Sequence, residues 1–401
     1  LKLITCDFLI IGGGIIGISL ARELKKRYPD SKVILIEKEN DFGLHASGRN
    51  SGVLHAGFYY TADSLKAKFT KTGNQQLTEF CKSNNIAVNN CGKLVVAESP
   101  EDLPQLDELL LRGKNNNVVL HDITEKEAKE IEPRVKTLGR ALFSPTTSSV
   151  DPSQVMQALV REALNLGIQI ENRTRFLKKN KQIIETNRGN YEPKYVVNVG
   201  GLYADIIAKQ FGFSKNYCIL PFKGLYLYSE EPPKSLKTNI YPVPNLKNPF
   251  LGVHFTVMAN GISKIGPTAI PAFWREQYTG INNFKFNEFT ELSLRQALLF
   301  FNSNFDFKQL AWQEIRKYSR SHLVKLASLL LKDVKLSNFK NWGKPGIRAQ
   351  LLNSKTNTLE MDFIIEGDHQ SIHILNAVSP AFTCSFPFAD FVCNKIEQLA
   401  N

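Results

Sequence analysis

The sequence has no apolar run that approaches the roughly 20 residues with which a helix crosses a bilayer. It also has no internal repeat and no low-complexity segment. These absences argue against a membrane-spanning protein and against a repeat protein, and they leave a peripheral membrane contact open. With 401 residues, of which 43% are hydrophobic, the chain is long enough for two domains or for one large α/β domain with insertions.

Closely spaced cysteines are absent as well, because the six cysteines form no C-x-x-C pair and show no spacing typical of metal ligands. In a chain of this length they are typical of reduced, structural residues in the cytosol. The first predicted strand begins almost at the N-terminus, which leaves no room for a signal peptide. We therefore expect a cytoplasmic protein without a bound metal, attached at most peripherally to the inner face of a membrane.

Acidic residues are the minority among the charged ones, with 38 Asp and Glu against 50 Lys and Arg, a formal net charge of +12. Such an excess favours anionic partners: an acidic substrate, an anionic membrane surface, or nucleic acid bound without sequence specificity. The basic residues are spread along the chain in short runs such as 178–181. We therefore expect a solvated basic surface and no specific nucleic-acid partner.

The strongest motif is a glycine turn near the N-terminus. An apolar strand runs into Gly12, Gly14 and Gly17 at G-x-G-x-x-G spacing, and a helix-forming segment follows. In dinucleotide-binding folds these glycines allow the tight turn, the approach of the backbone to a pyrophosphate, and close packing of helix on strand. A second apolar run, 33–36, ends at Glu37, about 20 residues further on, where a carboxylate can hold a ribose. The arrangement predicts an adenine-dinucleotide site.

A long loop at 41–60 follows, and its Gly, Ser, Asn and His content indicates a functional loop. The next segment has helical periodicity, and Gly73 on its apolar stripe indicates either a close packing contact or a tolerated glycine. Further along, Asn260-Gly261 predicts the turn of a β-hairpin, and a final helix is predicted from Phe386 onward.

Several segments resemble a known family. The run 45–60, His-Ala-Ser-Gly-Arg-Asn-Ser-Gly-Val-Leu-His-Ala-Gly-Phe-Tyr-Tyr, is similar to L-2-hydroxyglutarate dehydrogenases (oxidases) of the D-amino-acid-oxidase-like FAD superfamily, and Ser-Leu-Lys-Ala-Lys at 64–68 fits the same pattern. Further matches lie, in order, at 90–93, 221–224, 240–244, 249–254, 346–350 and 376–381. Together the matches span nearly the whole chain, and several are not general FAD motifs.

The chain departs from the family pattern in three places. The family has Gln-Thr-Gly-His where this chain has Ala-Ser-Gly-Arg at 46–49, with Arg49 in the last position. It has Arg where Lys223 stands, and Ala where Phe382 stands. Lys lacks the planar fork with which Arg grips a carboxylate, so the substrate clamp is expected to differ in detail.

The resemblance implies an α/β fold: a doubly wound FAD-binding domain of the glutathione-reductase-like Rossmann type, with an inserted α+β substrate domain built on an antiparallel sheet. It implies FAD as the cofactor, oxidation of the small dicarboxylate L-2-hydroxyglutarate to 2-oxoglutarate, and transfer of the electrons to a quinone or to O₂. The expected boundaries are 1–85, 146–217 and 341–401 for the FAD-binding domain, and 86–145 and 218–340 for the substrate domain.

Oxidation of a 2-hydroxy acid requires a base for the hydroxyl proton, a hydride acceptor at the flavin N5, and cations for the carboxylates. His55 is the predicted base, because it lies in the loop after the second strand and imidazole titrates near neutrality; a structural histidine is the alternative. His254 follows a predicted strand, where it either binds a carboxylate or shares the base role. For the carboxylates we predict Arg348 and Lys223, with a surface lysine as the alternative for the latter. Predicted hydroxyl donors are Tyr59, Tyr60 and Tyr226.

The predicted cofactor contacts begin at the glycine turn, which is expected at the pyrophosphate, with Glu37 at the adenosine. The loop 41–60 is expected along the ribityl chain. The loop before the last helix and the loop at 346–348 are expected to close over the isoalloxazine. The predicted cofactor-binding residues are Gly12, Gly14, Ile15, Ile16, Gly17, Glu37, Lys38, Ser47, Asn50, Ser51, Gly52, Gly200, Gly201, Gly346, Arg348, Ser379, Ala381 and Thr383.

Two other functions remain open from the sequence. One is an FAD-dependent oxidase of another small acid or amino acid, of the D-amino-acid-oxidase or glycerol-3-phosphate-dehydrogenase type; the paired carboxylate-binding candidates argue against it. The other is a flavin-binding protein without turnover that has nucleic acid or a membrane as its partner, which the net charge of +12 would suit.

Overall fold

The structure is a computed structural model that describes residues 3–246, 250–302 and 307–400, with only the backbone described at residue 302. Pro249, the first residue of the motif at 249–254, lies outside the described residues. None of the helices in the described ranges combines the length and the apolar character that a membrane span requires. All six cysteines are free thiols, as the sequence predicts.

Strands are distributed over the whole described chain. In chain order they are β1 (Leu3–Ile11), β2 (Val33–Ile36), β3 (Val53–Leu54), β4 (Lys93–Val96), β5 (His121–Thr124), β6 (Arg140–Ser144), β7 (Ser148–Ser149), β8 (Gln169–Glu171), β9 (Phe176–Asn180), β10 (Ile183–Thr186), β11 (Asn190–Asn198), β12 (Tyr217–Gly224), β13 (Leu227–Tyr228), β14 (Asn239–Pro242), β15 (His254–Val257), β16 (Ser263–Gly266), β17 (Ile270–Pro271), β18 (Asn341–Trp342), β19 (Gly346–Asn353), β20 (Thr358–Leu359), β21 (Ile365–Gly367) and β22 (Ser371–Ile374).

The helices separate these strands. They are α1 (Ile15–Arg27), α2 (Leu65–Ser83), α3 (Leu103–Asn115), α4 (Glu125–Ile131), α5 (Pro152–Asn165), α6 (Ala204–Lys209), α7 (Phe286–Asn302), α8 (Phe307–Ile315), α9 (Arg320–Ala327) and α10 (Ala381–Ala400). Short 3₁₀ turns lie at Pro100–Asp102, Gly201–Tyr203, Arg316–Tyr318 and Leu336–Asn338.

A parallel sheet carries the N-terminal motif. Its central order is β22-β11-β1-β2-β8, and each of these pairings is parallel. The antiparallel strands β21, β10 and β9 extend it. All four residues of β2 are buried, as expected for a strand covered on both faces. Helices α1, α2, α5 and α10 supply much of the largest apolar cluster, which packs on this sheet.

Two further sheets are mostly antiparallel. The larger has the order β18-β13-β16-β15-β14-β4-β6-β5, with β4 and β14 parallel, and the smaller has the order β17-β12-β19-β20. The turn predicted at Asn260-Gly261 is confirmed, since β15 and β16 pair on either side of it and Gly261 has φ +82°. Residues 341–359, expected in the FAD-binding domain, pair through β18, β19 and β20 with strands of these two sheets. The domain boundaries stay a prediction.

The last helix begins earlier than the sequence predicts. It starts at Ala381, not at Phe386, and contains Pro387 in its interior. Because proline has no N–H, the carbonyl of Thr383, four residues earlier, lacks its helical donor. Gly73 of α2 packs at this point, and a Cβ on Gly73 would lie only 2.2 Å from the Thr383 carbonyl oxygen. Of the two alternatives that the sequence leaves open for Gly73, the structure therefore shows the close packing contact.

Candidate active site

A large cavity of about 950 Å³ lies at the carboxyl ends of the parallel strands. Ile11, Ile36 and Ile374, the last residues of three of these strands, line it. Residues of β12, β14, β15 and β19 line it as well, so the three large sheets meet around one space. Ligands of open α/β sheets bind outside the carboxyl ends of the strands, and the cavity has this position.

The glycine turn forms part of the cavity wall. Gly12 has φ +117°, and a Cβ there would lie 2.5 Å from the carbonyl oxygen of Val199. A Cβ on Gly17 would lie 2.0 Å from the carbonyl oxygen of Gly12, so both positions require glycine. At the start of α1, the N–H of Ile15 donates to Oγ of Ser47 at 2.9 Å. A helix N-terminus opening on a cavity attracts anions such as a pyrophosphate.

Glu37 lies directly after β2, and its carboxylate is held by the backbone. The N–H of Gly13 donates to Oε2 at 2.8 Å, and the N–H of Glu39 donates to Oε1 at 2.9 Å. These two bonds fix the carboxylate at the cavity wall, where a ribose hydroxyl can donate to it.

Lys38 stands in a group of polar side chains that resembles a metal site. Ligand atoms of Glu39, His45 and Glu276 lie within 4.8 Å of one another. Lys38 Nζ donates to Glu276 at 2.7 Å, contacts the Glu39 carboxylate, and lies 3.0 Å from Nε2 of His45. Burial lowers the pKa of Lys38, but the two carboxylates outweigh it, so the net shift is upward. The ammonium therefore supplies the positive charge that this group would otherwise take from a metal ion.

Two buried histidines, His55 and His254, line the same cavity. Burial, together with a smaller contribution from the nearby Lys93, lowers the pKa of each to about 3, so both imidazoles are neutral at physiological pH. Nδ1 of His254 lies 2.8 Å from the Gly252 carbonyl oxygen, which can only accept, so Nδ1 carries the proton and Nε2 is the basic nitrogen. Nδ1 of His55 has no hydrogen-bond partner among the described residues.

Arg348 of β19 brings a cation to the cavity. Its Nε donates to Oε1 of Gln350 at 3.0 Å, and Gln350 in turn donates from Nε2 to the Glu360 carbonyl at 2.6 Å. Within the described residues, no carboxylate pairs with the guanidinium. Burial lowers its pKa to about 10, which still leaves it protonated at physiological pH. A half-buried guanidinium on the cavity wall, with its fork free of carboxylates among the described residues, is suited to bind a carboxylate.

Some predicted residues are not brought to the cavity, and the strand register explains the most important of them, Lys223. In the antiparallel pair of β12 and β19, Phe222 stands opposite Arg348, so these two side chains share one face of the sheet. The next residue, Lys223, points to the other face, where its ammonium lies 5.9 Å from the Tyr318 ring. The predicted residues outside the lining are Gly52, Tyr59, Tyr60 and Lys223.

The other three have structural contacts instead. Gly52 has φ +78°, and a Cβ there would lie 2.3 Å from the Val150 carbonyl oxygen, so it allows the loop to pack against the start of α5. The ring of Tyr60 lies 5.8 Å from the Lys66 ammonium, and that of Tyr59 lies 4.4 Å from the Lys93 ammonium.

The remaining predicted residues line the cavity together. Sequence reasoning did not select Phe222, Tyr241 or Phe250, which also line it, although all three lie inside segments that carried the family resemblance. The predicted residues in the lining are Gly12, Gly14, Ile15, Ile16, Gly17, Glu37, Lys38, Ser47, Asn50, Ser51, His55, Gly200, Gly201, Tyr226, His254, Gly346, Arg348, Ser379, Ala381 and Thr383.

Comparison with known proteins agrees with this geometry. Residues 7–387 match the DAO family, described as FAD dependent oxidoreductase. The chain is 33% identical over 399 residues to the L-2-hydroxyglutarate dehydrogenase of Escherichia coli K12, covering 98% of this chain and 93% of that protein. It is 36% identical over 392 residues to the L-2-hydroxyglutarate dehydrogenase of Indibacter alkaliphilus, covering 96% of this chain and 97% of that protein.

Solved structures share the fold. The FAD-bound, dithionite-reduced L-α-glycerophosphate oxidase of Mycoplasma pneumoniae has a TM-score of 0.78 at 22% identity, covering 98% of this chain and 95% of that one. The glycine oxidase of Geobacillus kaustophilus has a TM-score of 0.74 at 18% identity, with the same coverage. At these identities the likeness establishes an FAD-oxidase fold with mixed α/β sheets.

Proposed function

The chain belongs to the DAO family of FAD-dependent oxidoreductases and, within it, to the L-2-hydroxyglutarate dehydrogenases, and on this premise we propose that it oxidises L-2-hydroxyglutarate to 2-oxoglutarate. The observation that carries the proposal is the meeting, in one cavity, of the unpaired guanidinium of Arg348 and the two neutral imidazoles of His55 and His254. Such a set can bind a carboxylate and accept a proton, which are the two tasks that a 2-hydroxy acid gives the protein.

The residues of the cavity fit FAD. The close turn at Gly12 and Gly17 and the open N-terminus of α1 suit a pyrophosphate, and the fixed carboxylate of Glu37 suits a ribose. When bound, FAD accepts the hydride from C2 of the substrate. Residues proposed to hold it besides these are Gly14, Ile15, Ile16, Lys38, Ser47, Asn50, Ser51, Gly200, Gly201, Gly346, Ser379, Ala381 and Thr383.

Arg348 is proposed to bind a carboxylate of the substrate. Its hydrogen bond to Gln350 holds one edge of the guanidinium, and the other edge is left for a bidentate contact. Gln350 is fully buried and anchored to a backbone carbonyl. The Arg348 side chain that it holds therefore loses little further freedom when the substrate binds. A carboxylate held in this way fixes the position of C2 and of its hydroxyl group.

The proton of the substrate hydroxyl is proposed to move to Nε2 of His254. The Gly252 carbonyl fixes the tautomer of this imidazole, so its basic nitrogen is known and is already neutral. His55, which lines the same cavity, is proposed to hydrogen-bond the substrate. This assignment reverses the emphasis of the sequence, which predicts His55 as the base.

The test is anaerobic mixing of the FAD-bound protein with L-2-hydroxyglutarate while the flavin absorbance is followed. Reduction by the L isomer with formation of 2-oxoglutarate, and none by D-2-hydroxyglutarate or L-lactate, is the expected result. Glycerol 3-phosphate and amino acids are included because a guanidinium also binds phosphate, and reduction by one of them alone would replace the proposed substrate.

For the electron acceptor we propose a membrane quinone, reached by peripheral docking at the inner face of the membrane, with O₂ as the alternative. Leu294, Leu298 and Phe301 of α7 follow one another at i, i+4 and i+7, and their exposed fractions are 64, 53 and 79%. Trp312 of α8 is 67% exposed. Exposed basic residues of the same chain segment are Lys285, Lys308 and Arg316, of which Lys285 is paired with Glu288. Exposed apolar and aromatic side chains with basic neighbours are typical of contact with anionic lipid.

A further inference from the structure

Lys93 is a buried lysine with no hydrogen-bond partner in the described part of the chain. Its side chain is 0% exposed, and Nζ contacts no acceptor there. Alternation along β4 sends Lys93 to the same face as Val95, which belongs to an apolar cluster. Its Nζ lies 4.7, 4.4 and 4.7 Å from the ring centroids of Phe58, Tyr59 and Tyr241. Ring faces attract a cation, so these three rings form a cage for the ammonium.

The cage is joined to both histidines of the cavity. The ring of Tyr241 stacks on the imidazole of His254, with centroids 3.7 Å apart and an interplanar angle of 20°. Phe58 and Tyr59 follow His55 by three and four residues in the same loop. Strands β4, β14 and β15, which carry Lys93, Tyr241 and His254, are neighbours in one sheet. The charge of Lys93 therefore acts on both imidazoles from behind the cavity wall.

We propose that Lys93 is a positioning residue for the reaction: its caged ammonium acts on His55 and His254 from behind the cavity wall and strengthens the binding of a dicarboxylate in the cavity. The inference rests on the proposed function for the identity of that anion. A buried cation without a counter-ion is unfavourable. Burial alone lowers the pKa of Lys93, since no carboxylate of the described residues acts on the ammonium. An anion in the neighbouring cavity supplies the missing negative charge.

The pH dependence follows from the groups that surround Lys93. Burial lowers its pKa to about 7, whereas it raises the pKa values of the neighbouring tyrosines and thiol and keeps the two imidazoles neutral. Among the cage residues and the two imidazoles, the ammonium of Lys93 is therefore the group that changes charge near neutrality: it is present at lower pH and lost as the pH rises. Burial also lowers the pKa of Lys264, to about 8, and its charge reaches His254 alone of the two imidazoles. The titratable neighbours are His55, Tyr59, Cys91, Tyr241 and His254, and Lys264 and Lys317 also act on His254.

The first experiment measures binding of glutarate, a dicarboxylate without the reacting hydroxyl, to the FAD-bound protein through the flavin spectrum. We expect Lys93→Met to weaken binding about tenfold near pH 6 and to remove most of the loss of affinity that the wild type shows as the pH rises to about 9. Lys93→Arg, which stays charged, should bind glutarate with a weaker pH dependence than the wild type. Equal affinity of wild type and Lys93→Met at every pH would overturn the proposal.

Lys264→Met is the matched control, because Lys264 is also buried and lies 4.5 Å from the ring of Tyr226. It acts on His254 but not on His55, so we expect a smaller loss. A loss as large as that of Lys93→Met would overturn the assignment to Lys93. Loss of FAD together with a lower melting temperature in Lys93→Met would indicate a structural role and would also overturn it, since removal of an unpaired buried charge should not destabilise the fold.

The second experiment needs neither substrate nor turnover. Carbon-13 histidine NMR of the FAD-bound protein, with His55→Asn and His254→Asn for assignment, should show two neutral imidazoles whose signals both shift as Lys93 titrates near pH 7. The His254 signal should shift again as Lys264 titrates near pH 8. The shift near pH 7 should be absent from both signals in Lys93→Met, and its persistence in the His55 signal would refute the coupling. A wild type that L-2-hydroxyglutarate cannot reduce would refute the proposed function, while this measurement would still decide the role of Lys93.

Discussion

Arg348 Nε and Gln350 Oε1 lie 3.0 Å apart, and this bond orients the only edge of the guanidinium that has a partner in the described part of the chain. Gln350 is fully buried and is itself bound to the Glu360 carbonyl, so the pair is rigid before any ligand arrives. The register of β12 and β19 places this guanidinium, and not Lys223, on the cavity face. The proposed carboxylate clamp therefore rests on Arg348 and not on Lys223.

We expect Arg348→Met to lower the second-order rate of flavin reduction by L-2-hydroxyglutarate by roughly 10²–10³-fold, because about 3–4 kcal/mol of charge-assisted binding is lost. The rate of Arg348→Lys should lie between those of the wild type and Arg348→Met, since lysine retains the charge but not the fork. Stopped-flow reduction measures both, with FAD content as the check on folding. The exposed Lys308→Met is the control, and a wild-type rate in Arg348→Met would contradict the clamp.

Replacement of the two histidines should separate their roles. His254→Asn is expected to slow flavin reduction by roughly 10²–10⁴-fold, the contribution of a general base, and His55→Asn is expected chiefly to weaken substrate binding. In the wild type, the rate should not fall through histidine protonation between about pH 8 and pH 5, because both pKa values are lowered to about 3 and the basic form persists above them. A larger rate loss in His55→Asn would restore His55 as the base.

Buried neutral histidines also make the fold sensitive to acid. The pKa values of His55 and His254 are lowered to about 3 and that of His373 to about 4, whereas the unfolded chain protonates near 6.5. Between these values the unfolded state binds more protons, so stability falls as the pH falls below 6.5. Each histidine contributes up to about 1.4 kcal/mol per pH unit. We expect the melting temperature of the wild type to drop steadily from about pH 6.5 to pH 5. The drop should be less steep in His373→Gln, whereas the exposed His369→Gln should show the same slope as the wild type.

The contact of Gly73 with the Thr383 carbonyl links stability to the site. A methyl group at position 73 would meet that oxygen at 2.2 Å, so α2 and α10 must separate in Gly73→Ala. Thr383 lines the cavity, and its Oγ1 accepts from the N–H of His55 at 3.2 Å. We expect a loss of about 1–3 kcal/mol in the free energy of unfolding and earlier release of FAD on heating. The exposed Thr72→Ala in the same helix should show neither, and unchanged melting of Gly73→Ala would refute the tight contact.

The sequence predicts local features of this protein better than it predicts which side chains meet. The glycine turn, Glu37 and the Asn260-Gly261 hairpin follow from spacing along one segment, and the structure contains each of them. The side on which Lys223 points depends on the register of β12 with β19, strands more than a hundred residues apart, so spacing could not reveal it. The cage of Lys93 is likewise assembled from separate segments.

Contact with a membrane is the remaining expectation that the surface makes testable. Leu294, Leu298 and Phe301 form one exposed stripe of α7, while Leu292 and Leu299 of the same helix are buried, so the exposed side chains are not needed for packing. In Leu298→Ser/Phe301→Ser we expect binding to vesicles with anionic lipid to fall about tenfold or more, because about 2 kcal/mol of apolar burial is lost, with flavin reduction by the substrate unchanged. Co-sedimentation measures binding, and raised salt should weaken the basic contribution of the wild type. The control replaces Leu111→Ser/Leu164→Ser, exposed leucines of α3 and α5, and an equal loss there would mean that α7 is not the contact surface.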